Sequence, residues 1–151
     1  DRAAKILGYG ADLVRANAEH LGIVHGDWHP GNLIFQGDDV VAVCDFDNTR
    51  VGSRSREIAQ ALVHFSIRQG ANIEPDLDLL GAFFDGYQSR KNNSVKPRVI
   101  ASMMPAVLLD EALASVPAGN LGRHSQMLSA LLARVVWMQD HHDELTKALG
   151  G

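Results

Sequence analysis

His25-Gly26-Asp27-Trp28-His29-Pro30-Gly31-Asn32, followed thirteen positions after Asn32 by Asp45-Phe46-Asp47, sets carboxylate, amide and imidazole groups on two short segments. Asn32 and Asp45 suit one hard cation. Magnesium takes oxygen ligands in near-octahedral geometry and is commonly held by one or two protein groups, with phosphates and water completing the shell. Asp27, five residues before Asn32, is then free to accept a hydrogen bond from an attacking hydroxyl and to hold it in line with a phosphorus atom. The chemistry that such a set supports is phosphoryl transfer.

For these groups to meet, the chain must fold them onto neighbouring loops. Leu21-Gly22-Ile23-Val24 ends in a short apolar run that delivers Asp27 onto a turn, and Pro30-Gly31 keeps the segment irregular. Leu33-Ile34-Phe35 and Val40-Val41-Ala42-Val43-Cys44, joined by Gly37-Asp38-Asp39, read as a β-hairpin. Asn32 precedes its first strand and Asp45 follows its second, so an antiparallel pairing brings the two to the same end.

The spacing His-x-Asp-x-x-x-x-Asn followed by an Asp-Phe pair is the catalytic-loop and metal-loop pattern of protein-kinase-like enzymes. With Gly26 between His25 and Asp27, and Asp45-Phe46-Asp47 in place of an Asp-Phe-Gly triplet, residues 23 to 47 resemble the aminoglycoside phosphotransferase and choline kinase family of small-molecule kinases. The resemblance implies Asp27 as catalytic aspartate, Asn32 and Asp45 as magnesium ligands that also meet the nucleotide, and Mg2+ with ATP or another nucleoside triphosphate as cofactors. Glu57-Ile58-Ala59 stands where an Asp-Leu-Ala-like helix start is expected, a looser match. A kinase of this class also needs a lobe with a glycine-rich strand-turn, a strand lysine and a helical glutamate. Residues 1–151 are therefore expected to form a kinase-like C-terminal lobe, active only with an N-terminal nucleotide-binding lobe packed on it. A solitary lobe that binds a ligand or partner without turnover is the alternative. Asp27-x-His29 with Gly31-Asn32 is also similar to the first motif of binuclear metallophosphoesterases, whose later motifs are not found.

The expected fold class is α+β, mainly α-helical, with one short β-hairpin carrying the two loops. The N-terminal stretch to about Leu21 reads as a helix weakened by Gly8 and Gly10, and Gly8-Tyr9-Gly10 lacks the flanking strands of a phosphate loop. Apolar residues recur at helical spacing at Ile58, Leu62 and Phe65, at Leu77, Leu80, Phe84 and Tyr87, and at Leu128, Leu131, Val135 and Met138. Residues 96 to 115 are apolar nearly all round, with a kink expected at Pro105. Five helices and one hairpin result.

Helical patterning resumes about ten residues after Asp45, which leaves no room for the long activation segment of a protein kinase. A small hydroxyl-bearing molecule is the expected acceptor, in a pocket built by the helices from residue 56 onward. A formal charge of −4 gives no basic footprint for nucleic acid or an anionic membrane. Cys44 is the only cysteine, so no internal disulfide can form, and a reducing, cytoplasmic setting is expected.

Other residues carry plainer readings. His25 is expected to be architectural, Cys44 a small core residue, and Arg54 and Arg56 helix-start or surface charges. His29 suits phosphate contact and loop fixing equally, and Asp47 either the cation's outer shell or a turn. His141-His142-Asp143 reads as a solvated helix end, because adjacent helical side chains diverge by about 100°.

Overall fold

In the computed structural model, the described residues are 2–16, 21–67, 73–90, 95–114 and 125–151. They form α1 (Arg2–Ala16), β1 (Leu21–Val24), β2 (Leu33–Gln36), β3 (Asp39–Val43), β4 (Arg50–Ser53), α2 (Arg54–Ser66), α3 (Leu77–Gln88), α4 (Pro97–Ala114), α5 (Ser125–Asp140) and α6 (His142–Ala148). This is the mainly helical, kinase-like α+β arrangement expected.

The α4 helix organises the core, because it is apolar nearly all round and must be covered on most of its sides. It packs against α1, α2, α5 and α6, and residues Met103 to Leu109 are all buried. The helix runs on through Pro105. Leu62 and Val63 from α2, Leu80 and Phe84 from α3, Met138 from α5 and Leu145 from α6 complete the same cluster. Local sequence sets the helix starts. Ser53 caps α2 by accepting from the Arg56 amide, and the Asp76 carboxylate caps α3 by accepting from the amides of Asp78 and Leu79.

Three expectations need correction, and one falls outside the described residues. The N-terminal helix does not reach Leu21: residues 17–20 lie outside the described set, and Leu21–Val24 is a strand. This strand pairs antiparallel with β4, Ile23 facing Val51, so a second two-stranded sheet joins the expected β2–β3 hairpin. A break at His141 separates α5 from α6, giving six α-helices among the described residues rather than five. Residue 115, the expected end of the fourth segment, also lies outside the described set.

Gly10 does not simply weaken α1. A β-carbon there would collide with the Ala106 side chain, so the glycine sets how closely α1 and α4 approach. Gly8-Tyr9-Gly10 therefore lies inside a helix and is no phosphate loop. Gly10→Ala should lower the melting temperature, although alanine gains about 1 kcal/mol of helix propensity, because overpacking costs about 1–3 kcal/mol. Thermal unfolding checks the sign.

Candidate functional site

Asp27 lies on the loop between β1 and β2, and Asp45 just after β3. The hairpin brings the two loops together as expected. Leu33 pairs with Val43, and one step beyond that pair the Cys44 amide donates to the Asn32 carbonyl at 3.0 Å, with the Cys44 thiol donating to the same oxygen at 3.4 Å. Cys44 is half-buried and clamps the loops together. Gly37, at φ 63°, makes the tight turn possible by taking a conformation that a side chain resists.

Asn32 is buried beneath Asp27. Its Nδ2 donates to the Asp27 carbonyl at 2.9 Å and reaches the Asp27 carboxylate at 3.5 Å. That orientation leaves Oδ1 as the atom the amide can offer a cation. The His29 Nε2 stands 3.6 Å from the same carboxylate oxygen while its Nδ1 accepts from the Gly31 amide at 3.1 Å. His29 thus fixes the loop and also flanks Asp27. The Asp27 side chain keeps about a third of its surface open to solvent, at 35%.

His25 is architectural, as its sequence context suggested. Its Nε2 donates to the Cys44 carbonyl at 2.9 Å, and its ring lies between Trp28 and Phe46. Its buried Nδ1 has no hydrogen-bond partner among the described residues, which suits the neutral tautomer protonated on Nε2. Gly26 is at φ 84°, and a β-carbon there would strike the Asn48 carbonyl. The sharp turn that presents Asp27 therefore needs glycine.

Glu57 was underread in the sequence. From the first turn of α2 its Oε1 accepts from the Gly26 amide at 3.0 Å, tying the Asp27 loop to the helical core by a charge-assisted bond. The available signal was an acid in the first turn behind a serine cap, but a carboxylate at that place ordinarily serves its own helix end.

Asp45 is the only non-glycine residue at positive φ among those described, at φ 63° and ψ 61°. Strain of this kind, of order 1–3 kcal/mol, gathers where function over-determines the backbone. Asp45 and Asp47 are both exposed, Asp47 in the short 3-10 turn Phe46–Asn48. Among the described residues no three His, Cys, Asp or Glu side chains could hold a metal together. An amide and a carboxylate are nevertheless donors of the kind magnesium accepts when phosphates and water complete its shell.

A polar cluster that sequence reading missed lies next to the Asp27 loop. The His29 and His64 rings lie 5.9 Å apart, His64 Nε2 meets the Glu111 carboxylate at 3.0 Å, and Gln60 Nε2 donates to the other Glu111 oxygen at 2.6 Å. The pKa of His64 is raised, chiefly by its hydrogen bond to Glu111, against burial, with the charges of Glu111 and Asp27 adding to the rise. A raised folded-state value stabilises the fold below the ordinary histidine pKa and loses that contribution as pH climbs through the folded value. The melting temperature of the native chain minus that of Glu111→Gln should therefore be largest near pH 6 and shrink toward about pH 9. A difference that is flat or grows with pH contradicts the pairing.

The C-terminal histidines are not simply solvated. His141 stacks on Trp137 at 4.2 Å between centroids, and the His142 Nε2 lies 2.8 Å from the Ser102 hydroxyl. That hydroxyl donates to the Arg98 carbonyl at 2.8 Å, so His142 donates to it rather than activating it. Arg56 pairs with Asp110 of α4 at 2.6 Å, which makes it a strut between two helices.

Neither a curated protein nor a solved structure matches the chain. A family model described as the APH phosphotransferase enzyme family matches residues 2–92, more than half of its length and the whole of the two-loop site. The binuclear phosphoesterase alternative falls with that match. The chain belongs to the phosphotransferase enzyme family.

Proposed function

We propose that this chain supplies the acceptor and metal side of an ATP- and magnesium-dependent kinase acting on the hydroxyl of a small molecule, such as an aminoglycoside, a choline-like amino alcohol, an amino acid or a sugar. The observation that carries this reading is the placement of Asn32 directly beneath Asp27, with its carbonyl clamped to Cys44 beside Asp45. Asp27 accepts the hydrogen bond of the incoming hydroxyl, orients it and takes its proton as the bond to phosphorus forms. Asn32 Oδ1 and the Asp45 carboxylate are the groups that would hold magnesium, which when bound bridges and neutralises phosphate oxygens. Glu57, through Gly26, keeps Asp27 from drifting.

Ile23 and Val51 are 78% and 74% exposed, and Ile34, Phe35, Val40 and Val41 are each about half exposed. Apolar sheet faces of this kind ordinarily await a partner, and we assign them to a nucleotide-binding lobe that completes the cleft. Among the described residues no helix is long and apolar enough to cross a membrane. A cytoplasmic setting, with neither nucleic acid nor membrane as partner, fits the single cysteine and the negative formal charge. The test is transfer of labelled γ-phosphate from ATP to a panel of small alcohols by a protein carrying both lobes. Magnesium-dependent product is expected, and its absence across the panel, with ATP bound, refutes the reading.

A further inference from the structure

At the end of α4 away from the reaction loops, a cavity of about 510 Å³ opens between α1, α4 and the corner where α5 gives way to α6. Its volume lies within the range usual for small-ligand sites. Arg98, on the cavity wall, precedes Asp110 by twelve residues, which is about 18 Å of helix at 1.5 Å per residue. Asp110 in turn meets Arg56 at the start of α2, next to the Glu57 that holds the Asp27 loop. The cavity is therefore separate from the phosphotransfer site.

Its wall divides into an apolar floor and a cationic rim. Ile6, Pro105 and Met138 are buried beneath it. Lys5 and Tyr9, one helical turn apart on α1, and Arg98 on α4 are exposed around its mouth. Among the described residues no Asp or Glu lines the cavity, in a chain whose 18 acids outnumber its 14 bases. Arg15 and Arg56 are each paired with an aspartate, whereas neither Lys5 nor Arg98 has a carboxylate partner among the described residues. The polar pair on the wall is already satisfied, because the Ser102 hydroxyl donates to the Arg98 carbonyl and accepts from His142 Nε2. The Asp143 carboxylate meets the opposite nitrogen of that imidazole at 3.5 Å and is 95% exposed, outside the lining. Lys5 and Arg98 also lie in or next to the first turns of their helices, where the helix dipole favours negative charge.

We infer that this cavity is a second ligand site, and that it takes a small organic anion, a carboxylate or phosphate monoester on a ring-sized apolar body. The body lies on Ile6, Pro105 and Met138, where burial is favourable in proportion to area. The anionic head meets Arg98, whose planar fork matches the oxygens of either group, with Lys5 as a second charge. An amine of the same shape would meet like charge, and a neutral alcohol would leave both cations to water. The inference does not depend on the phosphotransfer reading.

NMR titration of 3-phenylpropanoate, 2-phenylethyl phosphate, 3-phenylpropan-1-ol and 3-phenylpropylamine into the 151-residue chain, and into a protein carrying both lobes, separates the possibilities. The methyl signals of Ile6 and Met138 should shift to saturation while those of Val24 and Ile34, on the strands that carry the reaction loops, stay in place. At least one anion should bind at least about tenfold more tightly than the alcohol, and the amine should bind most weakly. The tighter of the two anions identifies the head group. Lys5→Gln and Arg98→Gln, at exposed positions with no carboxylate partner to lose, should leave the melting temperature unchanged, and the double variant should bring the anion down to the affinity of the alcohol. Equal affinities for anion and alcohol in the native chain, an unchanged preference in the double variant, shifts that map elsewhere, no saturable binding of either anion, or anion binding that disappears when the second lobe is present overturns the assignment.

Discussion

Asp27→Asn in a protein carrying both lobes is expected to lower kcat by roughly 10²- to 10⁴-fold, the range a positioned general base contributes, while nucleotide binding stays near its native level. The two effects separate because the substitution preserves shape. Asn32 Nδ2 makes its closer bond to the Asp27 carbonyl, at 2.9 Å, and its longer one to the carboxylate, at 3.5 Å. The loop is further held through Glu57 and Gly26, which do not involve the Asp27 side chain. What is lost is a carboxylate oxygen able to take a proton. A variant that loses ATP affinity in proportion to kcat would place Asp27 among the groups that hold the nucleotide instead.

The parts of this site that sequence made legible are those whose partners lie close along the chain. Asp27 and Asn32 share one loop, Asp45 follows a hairpin whose turn is marked by Gly37, and the register then fixes their proximity without distant help. Longer-range pairings were not readable. β1 is four residues long with a glycine inside, a short apolar run whose strand partner β4 lies more than twenty residues further along the chain. Glu57 and Gly26, like His64 and Glu111, meet only because α2 packs on α4 and carries β4 against β1. No local pattern records such contacts. Gly10 is the clearest case, since its helix penalty is visible in sequence and the Ala106 neighbour that requires it is not. The break at His141 is similar, set by stacking on Trp137 and by the reach of His142 to Ser102 of α4.

Asp45 combines the proposed metal contact with the backbone strain, so two substitutions there should part company in stability while agreeing in activity. Asp45→Gly removes the carboxylate and accepts φ 63° freely, whereas Asp45→Ala removes the same carboxylate and places a β-carbon in a left-handed conformation. Both should abolish magnesium-dependent turnover, because Asn32 alone offers one oxygen. The glycine variant should nevertheless unfold at a higher temperature than the alanine variant, by an amount corresponding to about 1 kcal/mol. Asp45→Asn tests the charge by itself. Its amide tolerates the left-handed region and keeps one oxygen toward the cation, so turnover should return in part as magnesium is raised, which neither other variant should allow. Equal melting temperatures for the glycine and alanine variants would mean that the Phe46–Asn48 turn relaxes around the substitution. Native magnesium dependence in Asp45→Gly would move the cation site elsewhere. Within the proposed mechanism, the strained turn is what aims the carboxylate at the end of the hairpin where Asn32 lies, and relieving it without that carboxylate gains stability only by giving up the chemistry.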